Sequence, residues 1–169
     1  MLTLVHAFAN YLLAVPFRRR TDVIALLLAS ILPDLEGLYF TPAAYAACNG
    51  DMACAAAYPS HYMLHSLFGA FLLIAPAALL ASFCLRKYLK LNSIKLTIVY
   101  FSALAGVLLH LLADVTYHTG ADSLYLLWPL PQQFSFAFAW SEPLWEALAA
   151  AGIVAFLLIE KKRITAMVK

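Results

Sequence analysis

Long apolar runs, interrupted at intervals by single histidines and carboxylates, dominate this chain. Five can be drawn, over residues 2–17, 22–40, 61–85, 96–119 and 143–160. Most approach the ~20 residues that a helix needs to cross a ~30 Å hydrocarbon core, and the first is the shortest. The pattern predicts an all-α fold: a polytopic membrane helical bundle of about five transmembrane helices, formed as a single domain over residues 1–169. No internal repeat or linker divides it.

The polar interruptions are spaced. In LLHLLADVTYHTG, residues 108–120, His110, Asp114 and His118 recur every fourth residue. That spacing stacks them on one face of a helix, with Gly120 placed to end it. His6 with Asn10, and His61 with His65, repeat the interval. Asp34 and Glu36 follow Pro33, which disfavours helical geometry at Leu32 and predicts a break that turns both carboxylates towards the bundle interior. At 1.5 Å per residue from the basic end of each run, His6 and Asp34 fall level, at roughly 17 and 18 Å, and the other candidates lie further out. Irregular backbone at that depth requires protein or a polar cavity around it.

Each residue has a plainer alternative. A lone His6 or Asn10 is as readily interhelical glue. His61 and His118, nearer the surface, could be solvated. Gly69, Pro76 and Gly106 read as packing and kink positions. Asp34 and Asp114 stand apart, because a carboxylate near the centre of an inserted helix costs about 2.5–3.5 kcal/mol. Four helices delivering imidazole and carboxylate to one region argue for a shared site.

Composition sharpens the class. The chain is 64% hydrophobic and 12% charged, against roughly 25% charged residues in soluble domains. Basic stripes with interleaved aromatics are absent from the sequence, which sets nucleic acid aside. All 11 Lys and Arg fall in three clusters: residues 18–20, 86–95 and 161–169. With five crossings these share one side, which the positive-inside rule makes cytoplasmic. The expectation is a multi-pass protein of the inner or plasma membrane, amino terminus outside and carboxyl terminus inside. Residues 1–17 resemble a signal peptide, but the basic cluster follows the apolar stretch and no cleavage site is apparent, so they read as the first helix.

The loops at residues 41–60 and 121–142 then face outward. In the first, Cys48 and Cys54 either form a disulfide, as an oxidising compartment allows, or stand as two free small residues. Cys84 reads as an inert buried thiol. The second loop is aromatic yet broken by Pro129 and Pro131, so it should lie at the outer interface, with Trp128 as lid or anchor.

Imidazole and carboxylate suit zinc and similar divalent ions. The segments ILPDLEGL (residues 31–38), HYMLHSL (61–67) and LLHLLADVTYHTG followed by LLWPL also resemble, in order and spacing, the membrane-bound metal-dependent hydrolases, a family that includes LexA-regulated, YdjM-like inner-membrane proteins. The resemblance implies metal ligands at His6, Asp34, His61, His65, His110 and Asp114. The chain departs from the family pattern at Glu36, where a second Asp is usual, and at Tyr62, where an Arg is usual.

The expected function is therefore a metal-dependent hydrolase with one or two zinc-like ions at outer-leaflet level, acting on a phospholipid or other amphiphilic ester. Glu36 or His118, if uncoordinated, would shuttle the proton. The rival is a metal-ion or proton transporter using the same cluster.

Overall fold

The computed structural model describes residues 3–51, 54, 62–89, 91, 94–118, 123–136 and 141–168. It is a helical bundle. Helix α1 (Thr3–Ala14) continues as a 3-10 helix (Val15–Arg20), and α2 (Val23–Ile31) passes through a 3-10 turn (Leu32–Asp34) into α3 (Leu35–Ala47). Then come α4 (Leu67–Tyr88), α5 (Leu96–Tyr117) and α6 (Ser141–Val168). Four stretches are long and apolar enough to cross a membrane: Val23–Ala47, Leu67–Tyr88, Leu96–Tyr117 and Ser141–Glu160. Helix α1, with 12 residues, extends only about 18 Å, and the 3-10 segment carries the chain on to Arg20.

Several boundaries differ from those expected, each for a local reason. The second run does not end at residue 40, because α3 continues to Ala47 with Pro42 inside it. The third helix starts at Leu67 instead of residue 61: Ser66 is extended and its side chain accepts from the Gly69 N–H, an N-cap that places His65 on the preceding loop. Within α4, residues Ala70–Ile74 form a π-helical turn just before Pro76, where the missing proline N–H breaks the regular ladder. Cys84 is exposed, not buried. The Cys48–Cys54 bridge is formed.

Alternate elements run in opposite directions. At one end, the buried Asp22 caps α2, accepts from the Arg86 guanidinium at 2.6 Å, and its backbone N–H donates to Ser102 of α5. Tyr11 meets Glu160 towards this same end. Arg18, Arg20, Arg86, Lys87 and Lys95 thereby fall at one end of the bundle, towards which the helix Ser141–Val168 also runs. At the other end, Tyr117 donates to Glu142. Thus α1, α4 and α6 run towards the basic end, and α2 and α5 run away from it.

Small residues set the spacing. Ala25, Ala29, Ala70, Ala75, Ala78 and Ala103 line the core with Val99, Val107 and Leu111. Helices without large side chains between them approach closely, which is how membrane helices gain packing energy. Gly106 is the tightest point of α5 against α2, since a Cβ there would strike the Leu26 carbonyl oxygen. Large apolar side chains such as Leu72, Leu80, Phe101, Leu157 and Leu158 point outward, as a lipid-facing surface requires.

Candidate metal centre

The α-helical ladder of α2 stops at Ile31, and the 3-10 turn through Pro33 swings Asp34 towards α5. Helix α5 presents His110 and Asp114 one turn apart, and α1 brings His6 alongside. One ligand atom from each of His6, Asp34, His110 and Asp114 can be chosen so that all lie within 4.8 Å of one another, an arrangement able to hold a metal ion. His6, His110 and Asp114 are buried, and the His6 and His110 rings stack with centroids 4.1 Å apart.

Asp114 is the hub. Its Oδ1 lies 3.1 Å from His6 Nε2 and 3.4 Å from His118 Nε2. Its Oδ2 lies 2.9 Å from His110 Nε2 and 3.6 Å from His65 Nε2. Asp34 Oδ1 is 3.5 Å from His65 Nε2 and 3.6 Å from His110 Nε2. His65 therefore joins the cluster from the loop before α4, although no helix carries it there.

The polar atoms come within ion-pair distance of one another without hydrogen-bond geometry. His110 Nε2, Asp34 Oδ2 and both Asp114 oxygens are buried yet make no hydrogen bond among the described residues. Buried polar atoms left this way in a folded protein need an explanation. A set of imidazole nitrogens and carboxylate oxygens directed at one point is satisfied by a divalent cation, and the absence of sulfur from the set suits zinc or a harder ion. The residues present fit a metal.

The far sides of two histidines are fixed. Nδ1 of His110 lies 2.9 Å from the Ser30 carbonyl oxygen, which the end of the α2 ladder makes available. Nδ1 of His65 lies 2.9 Å from Glu36 Oε2, and the Glu36 carboxylate also accepts from the backbone N–H groups of Tyr62 and Leu64. Such contacts select the tautomer that offers Nε2 to a metal. Burial opposes charge on His65, but its hydrogen bonds to Asp34 and Glu36 and the nearby Asp114 outweigh this and push its pKa up to about 9.

The sequence-derived set is thus largely gathered here. His61 and Gly120 lie outside the described residues. His118 is not on the helix, because α5 ends at Tyr117 and His118 is extended, yet its ring still reaches Asp114. Glu36 stands behind His65. Ser30 went unnoticed in the sequence; its one signal is a hydroxyl within the apolar stretch of α2.

Residues 123–136 fold over this end of the bundle. Leu124 and Phe134 pair as an antiparallel bridge, the Leu67 N–H donates to the Leu126 carbonyl, and the Phe136 N–H donates to the Val115 carbonyl. Tyr125 stacks on Tyr62, and Trp128 lies against Phe68. Ser135 donates to the His118 carbonyl, tying the loop to the rim of the cluster.

Fold and site together define a membrane-embedded helical bundle with an internal His/Asp group able to hold a metal ion. The chain matches the family model described as YdjM inner membrane protein over residues 1–168. It belongs to that family. No curated protein and no solved structure matches it.

Proposed function

We propose that this protein is a metal-dependent hydrolase acting on an amphiphilic ester at the membrane surface. The observation that carries the reading is the convergence of His6, Asp34, His110 and Asp114, the last three with buried ligand atoms that make no hydrogen bond among the described residues. These four would hold a divalent ion such as zinc, with His65 at its edge and His61 as a further ligand from the resemblance. Bound there, the ion supplies Lewis acidity, polarising an ester or phosphoryl oxygen and acidifying a water.

The chain's own groups divide the remaining work. Glu36 is engaged by His65 and two backbone N–H groups, so it orients instead of shuttling protons. His118 sits at the rim with its side chain 11% exposed, close enough to Asp114 to sense the reacting water and open enough to exchange a proton. We assign it the general acid–base role. The aromatic loop, with Leu127, Leu130 and Phe136 exposed, suits contact with lipid, and a site at this end suits a phospholipid or similar substrate. The gathered basic clusters support a cytoplasmic basic end and an outward-facing site. The Cys48–Cys54 bridge agrees with an oxidising compartment beyond it.

The transporter alternative needs a polar path to the basic end. Below Asn10 and Ser30, the next layer is Leu26, Ala29, Ala103 and Val107, each at most 1% exposed. An ion without polar partners there meets a large desolvation penalty, which favours a pocket closed at its base. Protein reconstituted in liposomes should hydrolyse an amphiphilic ester supplied in the outer leaflet, dependent on metal and on Asp114, with no ion flux. Flux that disappears in Asp114→Asn, with no turnover across phosphodiester, phosphomonoester and carboxyl ester panels, would decide for transport.

A further inference from the structure

We infer that Asn10 is a positioning residue for His6, its side-chain carbonyl being the acceptor that fixes the His6 ring for metal binding. The inference rests on the proposed metal site. Two of the clustered histidines have Nδ1 held by an oxygen, His110 by the Ser30 carbonyl and His65 by Glu36. His6 lacks such a partner: its Nδ1 is buried and makes no hydrogen bond among the described residues.

One turn along the same face of α1 stands Asn10, fully buried. Its amide orientation is determined by its neighbours. Nδ2 donates to Ser30 Oγ at 3.0 Å and to the Gly106 carbonyl at 3.3 Å. The Ser30 hydroxyl spends its own proton on the Leu26 carbonyl, and a carbonyl has none to give. Both neighbours therefore need a donor, and only the NH₂ group supplies one. Oδ1 is left as an acceptor, buried and without a partner among the described residues.

An orphan acceptor and an orphan ring nitrogen thus lie one helical turn apart on one buried face. Coordination through His6 Nε2, the nitrogen beside Asp114, leaves the proton on Nδ1 and makes it a donor. Asn10 Oδ1, one turn away on the same face, then accepts a hydrogen bond from that N–H, directly or through one water, and either way the tautomer needed at the metal is selected. The same side chain joins this histidine to the Ser30–His110 arm, so α1, α2 and α5 present their ligands as one unit.

The test is chelator-competition titration of purified full-length protein with Co²⁺, followed by the Co²⁺ absorption bands, in wild type, Asn10→Leu, Asn10→Asp, His6→Ala and His6→Ala/Asn10→Leu. Loss of a partner of this kind should weaken Co²⁺ binding in Asn10→Leu by about 10–100-fold. Asn10→Asp, which keeps an acceptor towards His6 while losing the donors to Ser30 and Gly106, should recover much of that loss. In the His6→Ala background Asn10→Leu should have little further effect. A purely interhelical role predicts the opposite: equal losses in the Leu and Asp variants, and the same Asn10→Leu penalty with or without His6. Either result overturns the inference. An Asn10→Leu protein that binds Co²⁺ like wild type overturns it while leaving the metal site intact. Wild-type protein that binds no Co²⁺ removes the metal site and the inference together.

Discussion

Replacing Gly106 with alanine adds one methyl group, yet it should damage both the bundle and the site. The new Cβ would lie 3.1 Å from the Leu26 carbonyl carbon, 3.2 Å from Ala29 Cβ, and well inside contact distance of the Leu26 carbonyl oxygen. These are backbone and short side-chain atoms that cannot swing aside, so α2 and α5 must part by roughly an ångström. Overpacking of this kind costs about 1–3 kcal/mol. The separation also pulls Ser30 from His110, a contact of 2.9 Å across the same helix pair. Metal affinity should therefore fall by about 10–100-fold, as when the partner behind a ligand is lost. Gly37→Ala is the control, because a Cβ there meets nothing nearer than Thr41 Oγ1 at 4.0 Å. It should be neutral or slightly stabilising, given the backbone entropy that a helical glycine loses. Thermal unfolding in detergent and Co²⁺ competition would be measured on both. A Gly106→Ala protein that matches wild type in both measurements would refute the close-packed α2–α5 geometry and its link to His110.

Three further outcomes follow from the site and the topology. Asp114→Asn preserves shape but removes the charge shared by four histidines; dividing the ~10–16 kcal/mol of a structural zinc site over four ligands gives a loss of roughly 10²–10³-fold in metal affinity, measured by competition titration. Because the neighbouring carboxylates raise the His65 pKa from the ordinary 6.5 to about 9, metal must displace its proton at neutral pH; affinity should rise with pH up to about 9 and fall steadily in acid, and a pH-independent affinity between those two values would exclude His65 from the site. Cysteines introduced singly at Ser93 and at Gln132, an exposed position of the 123–136 loop, in a background lacking the native three, should differ in labelling of intact cells by an impermeant reagent, with only position 132 reacting; equal or reversed labelling would end the outward-facing orientation.

Much of this arrangement was legible in the order of residues. Four-residue spacing correctly paired His110 with Asp114, because helical periodicity is a local property that tertiary contacts seldom override. Pro33 marked the break that turns Asp34 inward, since a missing N–H acts wherever the helix packs. The limits of the elements were less legible. Whether HYMLHSL opens a helix depends on the Ser66 cap and on the hydrogen bonds that Glu36 makes to the Tyr62 and Leu64 backbone, and the latter join residues more than 25 positions apart. The same long-range contacts engage the Glu36 carboxylate with His65 and the Tyr62 and Leu64 backbone, where the sequence offered it, if uncoordinated, as a proton shuttle. Cys84 shows a different limit: in a bundle surrounded by lipid, an apolar position is as readily outside as inside, so hydrophobicity alone does not assign burial. The role of Ser30 was hidden because it works mainly through its backbone carbonyl, which every residue has.

X-ray absorption at the metal edge of purified, metal-loaded protein tests the central claim most directly. The account predicts about one or two zinc-like ions per chain, with a nitrogen and oxygen shell near 2.0–2.2 Å, multiple scattering from imidazole, and no sulfur. Asp114→Asn should lose that spectrum. Protein that takes up no metal, or that holds it in a shell containing sulfur, would contradict a site built from His6, Asp34, His110 and Asp114.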